Sequence, residues 1–215
     1  MTSTMVSVRS MLVRKKLMRT AERLYAEQGL ASVSLRKIGV AAGQRNKMAA
    51  QYHFTNRDEL IKAILSLHTA GIERHRMETV AALGVSDRVS LEEQMMCLIM
   101  PAVEHHIELG TPSWYGRFLA QIVIDPALRE HVIGTHLNTP SIRRLSELGC
   151  LRHSVLASAP TGPLAAMVRQ VAVHMCAELE YDLAYGRVDP AAAEKAWRKL
   201  GEDLIDAVCG RGAGC

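Results

Sequence analysis

Apolar positions recur at helical spacing along this chain, in segments divided by Gly, Pro, Ser and Asn, and the elements they predict are helices. Residues 1–8, with their Ser and Thr, can bury little and predict a loose arm. A first helix is expected over about Ser10–Gln28, with Leu17, Ala21, Leu24 and Tyr25 as its inner stripe and Gly29 as its stop. Leu35, Ile38 and Ala42 then form one face of a short helix, capped by Ser34 and ended at Ala42-Gly43. A tight turn and a small second helix follow, carrying Arg45, Asn46, Lys47, Gln51, Tyr52 and His53. Asn56 can cap a third, with Glu59 three positions on to return the bond. That helix continues through Leu60, Ile64, Leu67 and Gly71 to about Ala82, and a linker is expected over Gly84 to Ser90.

Helices continue to the end of the chain. One is expected over Ser90–Leu109, with Pro101 inside it to kink it. The next, about Ser113–Ile124, sets Trp114, Phe118 and Ile122 on one stripe. Asp125-Pro126 starts another, and after a turn near Asn138-Thr139-Pro140 a helix runs to about Leu148. Residues 159–163 read as a loop. A long helix over Leu164–Tyr185 and a last one from Asp189-Pro190 to about Val208 complete the set, with fraying from Gly210 onward. Low aromatic content (4%), 11 Met and abundant Ala and Leu also favour helix over sheet, so the expected class is all-α.

Charge sharpens this picture. The net charge is only +4, yet residues 1–57 hold 11 Lys and Arg against 2 Asp and Glu, and the remainder is net −5. A basic head on a mildly acidic body is the footprint of a head that meets phosphate. Two short helices around a tight turn, the second rich in Arg, Asn, Lys and Gln, suit the major groove. Arg can read guanine, Asn and Gln can read adenine, and Lys and Tyr can hold phosphate.

At these residues the chain resembles the DNA-binding domain of the TetR family of transcriptional regulators, over about Lys15 to Leu65. The matching elements are Ala21-x-x-Leu24-Tyr25-x-x-x-Gly29, Ser34-x-Arg36-x-Ile38, Ala42-Gly43, Tyr52-His53-Phe54 and Arg57-Asp58-Glu59-Leu60. The chain departs from the family pattern in the second short helix. Gln44-Arg45 replaces a Val-Ser-like pair, the segment to Phe54 is about one residue longer, and Gln51 stands where the family has Tyr. The resemblance implies a TetR-like fold, with a helix-turn-helix DNA-binding domain at 1–57 and a helical effector-binding and dimerisation domain at 58–215. Arg45, Asn46, Lys47 and Gln51 are the candidates for base contacts. Ser34, Arg36, Tyr52, His53 and Arg57 are those for backbone or mixed contacts.

The two final helices bear on assembly. The long one is apolar on more than one side, through Leu164, Met167, Val168, Val171, Ala172, Met175 and Leu179, and must bury both. One side can face the core and the other a second copy, as in TetR-like homodimers; a purely intramolecular core is the alternative. Met167, Val171, Trp197, Leu200 and Leu204 are the candidate interface. A two-fold dimer reads both half-sites of a palindromic operator in double-stranded DNA. The family's body encloses a small-molecule effector. Met96, Met100, Trp114, Phe118 and Met175 are the candidate lining, for an apolar ligand whose polar end Arg117 or His105 could orient.

Other functions find less support. Adjacent His105 and His106 point about 100° apart on a helix and cannot share a metal, and His131 and His136 have no sequence partner, so no metal centre is expected. The five Cys are scattered and odd in number without CxxC spacing, which fits reduced thiols in a cytoplasmic protein. No signal peptide or membrane span is visible. There is no nucleophile elbow, phosphate loop or HExxH, so neither an enzyme nor a cofactor is expected. The expected action is repression by occupying an operator, relieved by the effector. Alternatives are a ligand-independent regulator or activator with the same head, and a helical protein–protein interaction module.

Overall fold

The computed structural model describes residues 8–46, 48–83, 89–148 and 163–210. The expected arm (save Val8), most of the linker, most of the 159–163 loop and the chain end lie outside the described residues, as does Lys47. All regular elements among the described residues are helical. The α-helices are α1 (Val8–Gln28), α2 (Leu35–Ala41), α3 (Ala49–His53), α4 (Arg57–Ala82), α5 (Leu91–Leu109), α6 (Tyr115–Ile122), α7 (Pro126–Leu137), α8 (Pro140–Glu147), α9 (Pro163–Ala184) and α10 (Ala193–Cys209). A short 3-10 turn over Pro190–Ala192 leads into α10. The chain divides into two compact units, Met1–Ser66 and Leu67–Cys215, with the division inside α4. No helix among the described residues is long and apolar enough to cross a membrane.

In the first unit, local chemistry sets each boundary. Gly29 takes φ 86° after α1. The Ser34 hydroxyl accepts from the Lys37 N–H at 3.2 Å and caps α2. Gly43, at φ 65°, ends α2: its N–H donates to the Val40 carbonyl while that of Gln44 reaches back to Gly39, the paired bonds of a Schellman stop. Leu17, Ala21, Tyr25, Ile38, Ala50, Phe54 and Leu60 are fully buried. Each large apolar side chain removed from water contributes roughly 1.5–3 kcal/mol. Asn56 caps α4 by accepting from Glu59 N–H at 2.8 Å, but the Glu59 carboxylate returns its bond to Thr55, one residue before the cap.

In the second unit, α5 begins with a reciprocal cap between Ser90 and Glu93. Met95, Ile99 and Val103 of α5 share a buried cluster with Trp197, Leu200 and Leu204 of α10 and Cys176 and Leu183 of α9. Trp197 (2% exposed), Leu200 and Leu204 are therefore core residues of their own chain, not the outward interface expected of them. The single apolar stripe of α10 is used up against α5. The α6 helix packs on α9 so closely that a Cβ on Gly116 would lie 3.1 Å from the Cys176 backbone. Two buried or half-buried carboxylates from other helices meet helix starts: Glu180 of α9 at α6, and Glu73 of α4 at α8.

Candidate functional site

The first unit presents a polar surface on a buried base. Ser34, Arg36, Arg45, Asn46, Gln51, Tyr52 and Arg57 are all exposed, and Tyr52 is the extreme at 84%. The reasons are local. The α3 helix buries only Ala50, and Phe54 behind it, so Gln51 and Tyr52 turn outward. The helix is only Ala49–His53, so Arg45 and Asn46, expected on it, stand in the turn before it. The Asn46 side-chain oxygen accepts from the Met48 N–H at 2.9 Å, so it holds the entry to α3 and leaves the amide nitrogen for other partners. The Ser34 oxygen is likewise engaged as a cap. Arg57 lies 3.7 Å from Asp58, an exposed pair with little grip on either charge.

His53 is only half-exposed. Partial burial, and then the nearby Arg14 charge, lower its pKa and favour the neutral ring. Arg14, one of several cations near the start of α1, is engaged inside the unit. Its guanidinium donates to the His53 carbonyl at 2.7 Å and lies over the Phe54 ring, 4.1 Å from its centre. It thus ties α1 to the end of α3 and satisfies one of the carbonyls that a short helix leaves without partners.

The second unit contains a cavity of about 460 Å³. Six helices contribute apolar wall, among them Ile72, Leu98, Val103, Leu119, Ile142 and Val173. The polar part of the lining includes Arg76, Arg143, Arg169, His106, His136 and Ser146. None of the five residues expected to line it does so. Met96 and Met175 are exposed, Trp114 is half-buried at the start of α6, Phe118 is fully buried away from the cavity, and Met100 packs between α5 and α10 beside Gly201. Arg117 and His105 are elsewhere too: Arg117 pairs with Glu180 at 3.2 Å, and His105 bonds His68 at 2.8 Å. A sequence signal for the true lining existed. Arg76 falls in phase with Ile72 and Val80, a charge on a buried stripe of α4, and Arg169 falls in phase with Val173 on α9.

Imidazoles and aromatic rings pack beside the cavity. His68 stacks on Tyr115, with ring centres 3.8 Å apart, and His106 stacks on Trp197 at 4.3 Å. Burial, then the neighbouring His68, lowers the His105 pKa to about 4. Burial, then His105, lowers that of His106 to about 3. Both rings are neutral core residues at ordinary pH. Burial raises the Cys176 thiol to about 12, so it is protonated and poorly nucleophilic.

On α9, Met167 (55% exposed), Val171 (46%) and Met175 (44%) repeat every four residues and form an apolar stripe on the surface of this chain. Met167 and Val171 were expected on such a face; Met175 joins them there. The opposite side of α9, through Val173, Cys176 and Leu183, is buried.

No protein-family model and no curated protein matches the sequence. Solved structures do match the fold. A structure described as a TetR-family transcription regulator from Shewanella sp. PV-4 aligns with 88% of this chain and 95% of its own, at 15% identity and TM-score 0.50. The TetR-family transcriptional regulator PfmR from Thermus thermophilus aligns over 97% and 98%, at 17% identity and TM-score 0.50. At these identities the likeness is one of fold, and it extends over nearly the whole chain.

Proposed function

We propose that this chain, which has the all-α fold of the TetR regulators, is a homodimeric DNA-binding transcriptional regulator that represses from a palindromic operator and is released by a small-molecule effector. The observation that carries this is the head. Arg36, Arg45, Gln51, Tyr52 and Arg57 stand exposed around a five-residue helix whose other side is anchored by Ala50 and Phe54. Base-reading side chains beside phosphate-binding ones, on a rigid apolar base, are what major-groove recognition needs. One such short helix makes few contacts, and pairing through the Met167–Val171–Met175 stripe would double them with two-fold symmetry.

Release follows from α4. Ile72 and Arg76 line the cavity, and the same helix begins at Arg57 beside the candidate DNA contacts. A ligand that prefers one placement of Ile72 and Arg76 thereby favours one placement of that helix. Linkage requires only that its affinity differ between the DNA-bound and free conformations. Selection of bound fragments from a random-sequence DNA library tests the proposal. Enrichment of an inverted repeat is the expected outcome; fragments enriched without a shared sequence would contradict it.

A further inference from the structure

An effector cavity lined only by apolar groups would select for hydrophobic shape alone. This one is different in the sign of its polar groups. Arg76, Arg143 and Arg169 all line it, and no carboxylate does so among the described residues. Arg76 is already partly matched, with its Nη1 at 3.6 Å from Glu73 and its Nε donating to the Cys97 carbonyl at 3.2 Å. Arg143 and Arg169 make no ion pair among the described residues, and Arg169 feels the opposed charges of Arg129 and Glu130 without bonding to either. Arg143 is exposed, which puts it at the cavity's rim. Arg169 is half-buried, and its Nη2 is cut off from solvent with no hydrogen-bond partner among the described residues. A buried donor of this kind on a cation is costly unless something accepts from it.

Resting on the regulator reading above, we infer that the effector is an apolar anion, an alkyl or aryl carboxylate whose charged end is held by Arg169 and Arg143 and whose hydrocarbon body lies against Ile72, Leu98, Val103 and Leu119. The planar guanidinium fork suits a carboxylate and offers two parallel N–H donors. A volume of about 460 Å³ lies within the range of small-molecule sites, so there is room for a body as well as a head group. A cationic ligand would meet like charge at that end, and a neutral one can accept from the Arg169 donor but brings no counter-charge to it. Selectivity would then come from charge at one end and shape at the other.

Calorimetric titration of the full chain with frame-matched probes tests this. The probes are decanoate, decan-1-ol and decylamine, with 1-naphthoate, 1-naphthol and 1-naphthylmethylamine as a second frame. A charged hydrogen bond is worth enough to predict roughly tenfold tighter binding of a carboxylate than of its matched alcohol. Arg143→Gln should remove most of that preference, weakening the carboxylate far more than the alcohol. Arg169→Gln should do the same, and Arg169→Lys should recover part of it. Equal affinity for carboxylate and alcohol, preference for the amine, or no binding by either frame would overturn the inference. DNA binding by the ligand-free protein, measured in parallel, separates the two ideas. Specific DNA binding without charge preference sinks the ligand class alone; charge preference without DNA binding sinks the regulator reading alone.

Discussion

The Arg76 guanidinium donates to the carbonyl oxygen of Cys97, at 3.2 Å. That oxygen is the one a helical N–H at position 101 would normally take, and position 101 is proline. A side chain of α4 thus fills the gap that Pro101 opens in α5. The cost of burying Arg76 is offset partly by this bond and partly by Glu73. Arg76→Met should therefore destabilise the protein by roughly 1–3 kcal/mol through loss of this bond and of the Glu73 ion pair. In a Pro101→Ala background the intrahelical N–H returns, and the same change should cost measurably less. Denaturant titration of the four proteins gives the cycle; equal losses in both backgrounds would show that the Arg76–Cys97 bond has no energetic link to Pro101.

Glu180 offers a second test. Its carboxylate, 1% exposed, accepts from Ser113 Oγ, the Gly116 and Arg117 amides and Arg117 Nε, at 2.9–3.2 Å. It joins α9 to the start of α6, whose Tyr115, Gly116 and Leu119 line the cavity. Glu180→Ala leaves the Arg117 charge and two amides without their acceptor and should cost on the order of 3–5 kcal/mol. Glu180→Gln keeps one acceptor oxygen and should cost less. Thermal melts of both variants check this ordering.

Acid should weaken the second unit through its histidines. The folded-state pKa values of His105 and His106 lie near 4 and 3, below the ordinary 6.5. Below pH 6.5 the unfolded chain takes up protons that the folded one refuses. The stability these rings provide is therefore complete above pH 6.5 and declines as pH falls from 6.5 toward 4 and then 3, at roughly 1.4 kcal/mol per pH unit per group. His106→Phe keeps a ring against Trp197 and removes one titrating group. Its stability should fall less steeply between pH 6.5 and 4 than that of the parent, and parallel curves would contradict this.

The α9 stripe should govern assembly. Val171→Glu places a charge in the middle of an outward apolar row and should yield a monomer that keeps its fold, with weaker DNA binding. Trp197→Ala should act differently, opening a core cavity at a cost of about 3–5 kcal/mol without a specific loss of self-association. Sedimentation velocity with circular dichroism distinguishes the two behaviours.

What the sequence revealed follows the range of the interactions. The Ser34 cap, the Gly43 stop, the Asp125-Pro126 start of α7 and the inner stripe of α1 depend on neighbours within a turn, and period and residue type showed them. The α10 stripe was visible, but a stripe says only that a face is buried, not whether against its own chain or another; Trp197, Leu200 and Leu204 prove to lie against α5. The cavity was misplaced because Met content signals adaptable space without locating it. Its lining gathers from seven helices, and Arg76 and Arg169 were legible only as charges out of place on buried stripes. Arg14 read only as one cation among several in a basic helix, because its bond to the His53 carbonyl joins residues 39 apart.

The most direct test of the central claim is a gel shift with DNA from immediately upstream of the protein's own gene, at two salt concentrations and with random DNA as competitor. Sequence-specific recognition by the head predicts a shift that survives the competitor and that Arg45→Ala weakens by at least tenfold at unchanged dimer mass. A shift that competitor abolishes and salt steeply weakens, equal for parent and Arg45→Ala, would mean phosphate attraction alone and would contradict it.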